Sequence, residues 1–245
     1  MDSGYYAAMT GLVARNQALD TAAANLANAQ TPGYRAEREY FRSVLLGPDA
    51  QDSQLGRTVN NYGLLGGDEL SMKQGPLQPT GNPLDLAIEG DGFFQVQTAN
   101  GVRYTRDGSF HRAQNGQMVT SAGEPVLSSD GKPISIPPGE VSVGGDVTLS
   151  VEGGAVSTVG MFSFPAATHL TPEGANRYLA PKDVLPTAAK NSGIHQGTLE
   201  AANEDIIQGS LDLMVMQRQA EMMQKALTVF HTEFNKFAAE DLPKV

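Results

Sequence analysis

The 245-residue sequence contains no cysteine, which excludes disulfides, thiolate nucleophiles and cysteine-ligated metal sites. No run of about 18 apolar residues occurs, so no membrane-spanning helix is predicted. The N-terminus also lacks the basic start and apolar block of a cleaved signal peptide. We therefore expect a protein without membrane insertion that is not exported through a cleaved signal peptide.

Positive charge is also scarce, with 17 Lys and Arg against 27 Asp and Glu, and the net charge of −10 disfavours a nucleic-acid partner. The chain has only four histidines, and none lies four residues from another, so metal-ligand spacing is absent. These histidines are His111, His169, His195 and His231. The sequence predicts no metal site.

Catalytic motifs are missing as well. Gly90-Asp91-Gly92 lacks the third glycine and the helix of a dinucleotide-binding loop, and a hairpin turn before Phe93 accounts for it. Asp85 and Glu89 alternate with apolar strand positions, so we expect both carboxylates to face solvent. The sequence therefore predicts no catalytic residue, no cofactor and no enzyme activity.

The first thirty residues have the pattern of a helix with one narrow apolar seam. The helix is expected to end near Asn28, because Pro32 disfavours helical backbone before it and Gly33 permits a reversal. Asn16 is a polar residue within the seam, where it either fixes the register of helix pairing or is exposed. The seam positions, spaced by steps of four and three, are Tyr5, Met9, Leu12, Asn16, Leu19, Ala23 and Leu26.

The C-terminal region carries the same spacing over a longer stretch, which predicts a coiled-coil helix of roughly 55–60 Å. Gly209 and Ser210 mark a bend or a later helix start. Met214 and Met222 lie off the seam, and we interpret them as contacts with neighbouring subunits. The seam comprises Leu199, Ala202, Ile206, Gly209, Leu213, Met216, Ala220, Met223, Leu227, Phe230, Phe234 and Phe237.

Between the two helices the apolar pattern changes to short alternating strands over residues 84–164, which predicts an antiparallel β domain. Asp-Gly and Asn-Gly pairs separate these strands, as in tight hairpin turns. We expect Gly92 and Gly108 in particular to have positive φ.

The predicted fold class is α+β, with long N- and C-terminal helices pairing as a coiled-coil stalk and an inserted antiparallel β domain. Residues 1–45 and 195–245 are expected to form the terminal-helix domain, and residues 84–180 the β domain. Residues 46–83 are interpreted as an extended connector, and residues 181–194 as the return connector.

Four motifs, in order along the chain, resemble the signatures of the flagellar basal-body rod protein family, which belongs to the rod and hook axial proteins. The first contains Asn25-Leu26-Ala27-Asn28 and Thr31-Pro32-Gly33-Tyr34. The second contains Gln74-Gly75-Pro76-Leu77, Thr80-Gly81-Asn82-Pro83-Leu84-Asp85-Leu86-Ala87-Ile88 and Gly90-Asp91-Gly92-Phe93-Phe94. The third is Tyr104-Thr105-Arg106-Asp107-Gly108-Ser109-Phe110. The fourth is Gly197-Thr198-Leu199-Glu200, which is expected to open the C-terminal helix as in that family.

The resemblance implies a structural subunit of the flagellar rod, which assembles through its terminal helices into a helical tube. The implied partners are copies of itself, neighbouring rod proteins and the flagellar type III export apparatus. The implied location is the basal-body rod in the periplasmic space. The residues expected to form the assembly seam are Leu12, Leu19, Leu26, Leu213, Met216, Ala220, Met223, Leu227, Phe230 and Phe234.

Within the family, the chain length fits both the proximal and the distal rod type. Ala201-Ala202-Asn203-Glu204-Asp205 departs from the usual distal pattern after Glu200, which favours the proximal type. Outside the family, a secreted coiled-coil adhesin or effector would also place helices around a β insert. An enzyme would instead require a pocket with convergent polar groups. Neither alternative predicts four ordered signatures.

Overall fold

A computed structural model describes residues 2–42, 64–165, 168–189 and 192–240. The chain forms two compact units. The helical unit contains residues 1–27, 37–69 and 205–245, and the β unit contains residues 28–36 and 70–204. Residues 46–63 of the predicted connector lie outside the described residues.

The two helices of the helical unit are α1, Asp2–Ala27, and α2, Ile206–Glu240. The end of α1 confirms the boundary predicted near Asn28. The start of α2 lies later than predicted, because the Asp205 carboxylate caps the helix there. Its Oδ1 accepts hydrogen bonds from the N–H groups of Ile207 and Gln208, both at 2.9 Å.

Replacement of Asp205 by alanine is expected to lower the free energy of unfolding of the helical unit by about 1 kcal/mol, because two N–H groups lose their acceptor. Urea unfolding followed by helical circular dichroism measures this loss. Asp205→Asn keeps an acceptor oxygen and is the matched control. Equal midpoints for the two variants would contradict the capping role.

The two helices pack against each other, but not as the predicted coiled coil. A coiled coil buries its large seam side chains in successive heptads. On α1 the buried positions include the small residues Gly11, Ala14 and Ala18, whereas Met9 and Asn16 of the predicted seam are exposed. The predicted coiled-coil stalk is therefore wrong: small side chains lie where large seam residues were expected.

The predicted seam residues occupy mixed environments. Ala220 and Leu227 of α2 are buried. The side chains of Phe230 and Phe234 lie outside the described residues. The remaining residues of the predicted assembly seam are half-buried, namely Leu12, Leu19, Leu26, Leu213, Met216 and Met223. Their role in assembly stays a prediction.

The fold class also differs from the prediction because strands dominate the described chain. The helical unit includes the pair β1, Glu37–Arg42, and β2, Leu64–Leu70. In the β unit, the first strands along the chain are β3 (Leu77–Pro79), β4 (Leu86–Glu89), β5 (Phe93–Thr98), β6 (Gly101–Thr105), β7 (His111–Arg112), β8 (Met118–Val119), β9 (Val141–Val143) and β10 (Thr148–Val151). The later ones are β11 (Gly154–Thr158), β12 (Met161–Ser163), β13 (Thr171–Pro172), β14 (Arg177–Leu179), β15 (Thr187–Ala188), β16 (Gly193–Gln196) and β17 (Thr198–Glu200).

These strands form one large antiparallel sheet and several smaller ones. The six-stranded sheet has the order β13-β14-β6-β5-β12-β15. A three-stranded sheet has the order β11-β10-β9, and three pairs join β16 to β4, β17 to β3 and β7 to β8. Leu199, predicted to open the C-terminal helix, lies in β17, and Ala202 also precedes α2.

Two hydrophobic clusters form the core of the β unit. The larger one is mainly aliphatic and is contributed by residues from Leu86 to Ile194. The smaller one is mainly aromatic and contains Phe93, Tyr104, Leu170 and Tyr178. The ring centroids of Phe93 and Tyr178 lie 5.7 Å apart with edge-on geometry, which aromatic pairs prefer.

Turn glycines separate the strands largely as predicted. Gly92 has a φ of 144°, which confirms its predicted positive value. Gly108 does not have a positive φ, so its prediction is wrong. A Cβ atom at residue 108 would lie 1.7 Å from the carbonyl oxygen of Leu86. Close approach of two backbone segments therefore accounts for this glycine.

Candidate functional site

Residues from all four signature regions meet in the β unit around three buried charged side chains, Arg35, Arg106 and Glu200. We refer to these three as the arginine–glutamate cluster. Arg35 directly follows the Pro32-Gly33-Tyr34 turn, Arg106 follows β6, and Glu200 ends β17. Their exposed fractions are 2%, 3% and 2%, respectively. Ionised groups are seldom buried to this degree unless they are paired.

The Glu200 carboxylate is the centre of the cluster. Its Oε1 accepts hydrogen bonds from Nη2 of Arg35 and from the N–H of Gly75, both at 2.9 Å. Its Oε2 accepts a hydrogen bond from Nη1 of Arg106 at 3.0 Å. One side chain thus joins three segments that are distant in sequence.

Both arginines also donate to backbone carbonyl groups. Arg106 Nη2 donates to the carbonyl of Gly90 at 2.6 Å, and Arg35 Nη1 donates to the carbonyls of Met72, at 3.2 Å, and Lys73. The Arg106 guanidinium also lies 5.3 Å from the ring centroid of Phe93. The arginines therefore fix the backbone of the second signature and of the segment before it.

The cluster carries two cations and one carboxylate, so one positive charge is left uncompensated within it. Burial lowers the pKa of Arg106 to about 10, although the nearby Glu200 carboxylate opposes this shift. Burial lowers the pKa of Arg35 as well. The Nε atoms of both arginines have no hydrogen-bond partner among the described residues.

Signature glycines allow the backbone to approach the cluster closely. Gly33 has a φ of 68°, and a Cβ there would lie 2.3 Å from the backbone carbon of Arg106. A Cβ at Gly75 would lie 2.0 Å from the carbonyl oxygen of Ala201. The N–H of Gly33 donates to the carbonyl of Glu200 at 2.7 Å. The turn and β17 are therefore in direct backbone contact.

Asn203 makes a second junction next to the cluster. Its Oδ1 accepts a hydrogen bond from the N–H of Ala36 at 2.7 Å. Its Nδ2 donates to the carbonyls of Ser71 at 3.0 Å and Lys73 at 2.8 Å. Its own N–H donates to the carbonyl of Tyr34 at 3.2 Å. This amide side chain therefore bonds two other segments at once.

Sequence reasoning does not identify Arg35, Glu200 or Asn203 as site residues. Glu200 enters it only as part of the fourth signature, and Arg35 directly follows the first. The available sequence signal is that Arg35 and Glu200 are charged residues, one directly after the first signature and one at the end of the fourth. Their burial depends on contacts between distant segments, which periodicity does not report.

Asp85 of the second signature is buried, so the prediction that it faces solvent is wrong. It precedes β4 and therefore lies outside the strand alternation on which that prediction depends. Thr80 Oγ1 and Asn82 Nδ2 donate to its carboxylate at 2.6 and 2.9 Å. Glu89 is exposed as predicted, and its Oε2 lies 2.6 Å from Nε2 of His195.

The other signature residues have structural contacts. Asn25, in the helical unit, donates through Nδ2 to the carbonyl of Glu37 at 2.8 Å and accepts from the N–H of Glu37 at 3.0 Å. The carbonyl of Asn28 accepts from the N–H of Thr31 at 2.9 Å, and that of Pro32 accepts from Asn176 Nδ2 at 2.8 Å. Buried residues are Phe93, Phe94 and Thr105, while Tyr34 and Leu84 are half-buried and Gly81, Asn82 and Pro83 are exposed.

The helical unit carries a different candidate site, an apolar stripe on the exposed side of α2. At about 100° per residue, six exposed apolar residues fall within a sector of roughly 100°. Leu213, Ala220 and Leu227 lie on the opposite side of the helix. We refer to the six as the outer stripe: Ile207, Leu211, Met214, Val215, Met222 and Val229. Arg218 and Lys225 are also exposed within this sector. Exposed apolar side chains gathered on one side of a helix are a candidate interaction site.

Within the described parts of the chain, no group of three or more His, Asp or Glu residues could hold a metal ion. The described helices include none that is both long and apolar enough to cross a membrane. The arrangement can therefore hold segments together and present an apolar surface.

Comparison with known proteins gives two family matches. Residues 87–158 match the profile of the flagellar hook protein FlgE/F/G D1 domain, and residues 6–35 match that of the flagella basal body rod protein. Together these matches include part of α1, the first signature and most of the β unit.

Full-length relatives give the same result. The chain is 33% identical to flagellar basal-body rod protein FlgF of Caulobacter vibrioides over 100% of both chains. It is 31% identical to FlgF of Salmonella typhimurium over 93% of this chain and 94% of the relative. It is 28% identical to flagellar basal-body rod protein FlgG of Bacillus subtilis over 91% and 93%.

Proposed function

The chain belongs to the flagellar basal-body rod protein family and is a structural subunit of the rod, and we propose that it occupies the proximal position there. In this family FlgF is the proximal and FlgG the distal type. Identities of 33% and 31% to two FlgF relatives, against 28% to a FlgG relative, support the proximal type. We further propose that the subunit has no catalytic activity, and that its role is to join a helical tube.

We propose that assembly occurs through the outer stripe of α2. Met214 and Met222, which are 57% and 63% exposed, are the observation that carries this proposal. Large apolar side chains in water are unfavourable until a neighbouring subunit covers them. Methionine also adapts to neighbours that are not identical, since its side chain is flexible. The proposed neighbours are copies of the same chain and other rod proteins.

Location and export follow from the same proposal. A rod subunit of the basal body has to leave the cytosol, and we propose that this chain does so through the flagellar type III export apparatus. The proposed location is the periplasmic part of the basal body.

The test of the proposed interface is the double variant Met214→Asp/Met222→Asp. The free energy of unfolding of the isolated subunit is expected to change by less than about 0.5 kcal/mol per site, since both side chains are exposed. Swimming in soft agar and incorporation into purified basal bodies are expected to be lost, because charge replaces apolar contact at the interface.

The matched control is Gln217→Asp/Gln224→Asp, which introduces the same charge at exposed positions outside the outer stripe. This variant is expected to swim. Normal swimming of the Met214→Asp/Met222→Asp strain would show that the outer stripe is not an assembly surface. A loss of swimming in both strains would indicate a general intolerance of α2 to negative charge.

A further inference from the structure

Three segments of the β unit surround the arginine–glutamate cluster, and we refer to residues 31–36, 71–76 and 200–203 as the latch segments. Among the described residues, neither hydrophobic cluster of the β unit includes a residue from these segments. Their contacts with one another are mainly hydrogen bonds and ion pairs. The hydrophobic core reaches the arginine–glutamate cluster through Phe93, whose ring centroid lies 5.3 Å from the Arg106 guanidinium.

The latch segments bond mutually through six backbone N–H groups. Two residues supply three of the acceptors: the carbonyl and the carboxylate of Glu200, and the side-chain amide of Asn203. Such shared acceptors couple the bonds, because displacement of either residue releases more than one segment. The six N–H groups belong to Gly33, Ala36, Ser71, Gly75, Ala201 and Asn203.

The charge balance of the cluster makes Glu200 its critical member. Loss of either arginine leaves one cation opposite one carboxylate. Loss of the Glu200 charge leaves two buried cations, Arg35 and Arg106, without a carboxylate in direct contact, and Asp91 as their nearby acid. Breaking a buried ion pair from one side is strongly unfavourable, so the segments would open to hydrate both guanidinium groups.

We propose that the three latch segments open and close as one cooperative unit, held shut by the Glu200 carboxylate and separable from the hydrophobic core of the β unit. The closed state is the one in the structure. In the open state, both arginines and Glu200 reach water, and the two clusters of the core stay packed. Sub-global openings of this kind are confined to regions with few apolar contacts. The buried apolar side chains of the latch segments are those of Ala36 and Ala202, and both are small.

Native-state hydrogen exchange of the full chain tests the proposal. In the unmodified protein, the six latch N–H groups are expected to exchange with one common protection factor. This factor should be lower than that of core N–H groups, such as those of Met118, Val126 and Ile134, which donate to core carbonyls at 2.9–3.0 Å. Glu200→Gln should accelerate exchange of all six on the order of a hundred-fold or more. Core N–H groups should change by less than about threefold.

Two further variants make the test specific. Asn203→Ala removes the second junction and should accelerate exchange of the same six groups by about tenfold. Glu173→Gln is the matched control, because Glu173 pairs with Arg103 at 2.5 Å outside the latch segments. It should leave all six unchanged. The proposal is overturned if the six groups differ in protection in the unmodified protein, or if Glu200→Gln accelerates core exchange equally.

Discussion

Replacement of Gly108 by alanine is expected to unfold the β unit. The added Cβ would lie 1.7 Å from the carbonyl oxygen of Leu86 and 3.2 Å from the Phe94 ring. Neither segment can withdraw easily, because the N–H of Leu86 donates to the carbonyl of Gly108 at 3.0 Å and Leu86 is fully buried. We expect a loss of more than about 4 kcal/mol, beyond the range of ordinary point mutations. Urea unfolding followed by circular dichroism measures it.

Gly193→Ala is the matched control for this substitution. Gly193 lies in β16 and has no positive φ, and a Cβ added there would meet no atom within 4 Å beyond its chain neighbours. The change should be neutral or stabilise by about 0.5 kcal/mol through the unfolded chain. Similar unfolding midpoints for Gly108→Ala and Gly193→Ala would show that the backbone approach at Gly108 is not rigid.

The double variant Leu213→Asp/Leu227→Asp is expected to separate the two helices and to abolish swimming. Leu227 is 8% exposed, Leu213 is half-buried, and both lie on the side of α2 that carries the buried Ala220. Each site loses roughly 2–3 kcal/mol of apolar burial before the cost of desolvating the charge. Helical circular dichroism should fall, while hydrogen exchange in the core of the β unit should change little.

The controls distinguish packing within the subunit from contact between subunits. Gln217→Asp/Gln224→Asp, at exposed positions, should retain both helical signal and swimming. Met214→Asp/Met222→Asp should retain helical signal and lose swimming. If Leu213→Asp/Leu227→Asp retains full helical signal, the side of α2 that carries Leu213, Ala220 and Leu227 contributes little to the stability of the helical unit.

Local features of the fold were predictable from the sequence. The end of α1 near Asn28 follows from Pro32 and Gly33, which act on adjacent backbone. The Asp-Gly and Asn-Gly turns predicted antiparallel strands, and the six-stranded sheet is antiparallel. Such predictions succeed because they depend on the conformational preferences of a few neighbouring residues.

Features that depend on distant contacts were not predictable. Heptad spacing pointed to Leu12, Leu19 and Leu26, but the buried side of α1 carries the small residues Gly11, Ala14 and Ala18. Large apolar residues identify a possible seam, but small residues decide where two backbones can meet. The same limit applies to the start of α2, where the cap of Asp205 overrides the continuing apolar spacing.

The candidate site was predictable only in part, because its residues lie in motifs but their convergence depends on distant contacts. Signature residues such as Gly33 and Arg106 were identified from motifs, but their convergence on Glu200 requires the folded arrangement of four segments. A carboxylate in β17 gives no sign in its local sequence that it is buried. In the sequence, Asn203 is only one residue of a segment that departs from the usual distal pattern. In the structure, its side chain bonds the backbone of residues 36, 71 and 73.

The position of Glu200 along the chain has a consequence for biosynthesis. Ribosomes make Arg35 and Arg106 long before they make the carboxylate that neutralises them, and the core residue Ile194 also comes late. A nascent chain or a prematurely terminated product without residue 200 has two guanidinium groups and lacks the carboxylate that pairs with both. Burial of both is then unfavourable, and the latch segments stay open. The latch segments can therefore close only after translation has passed residue 200.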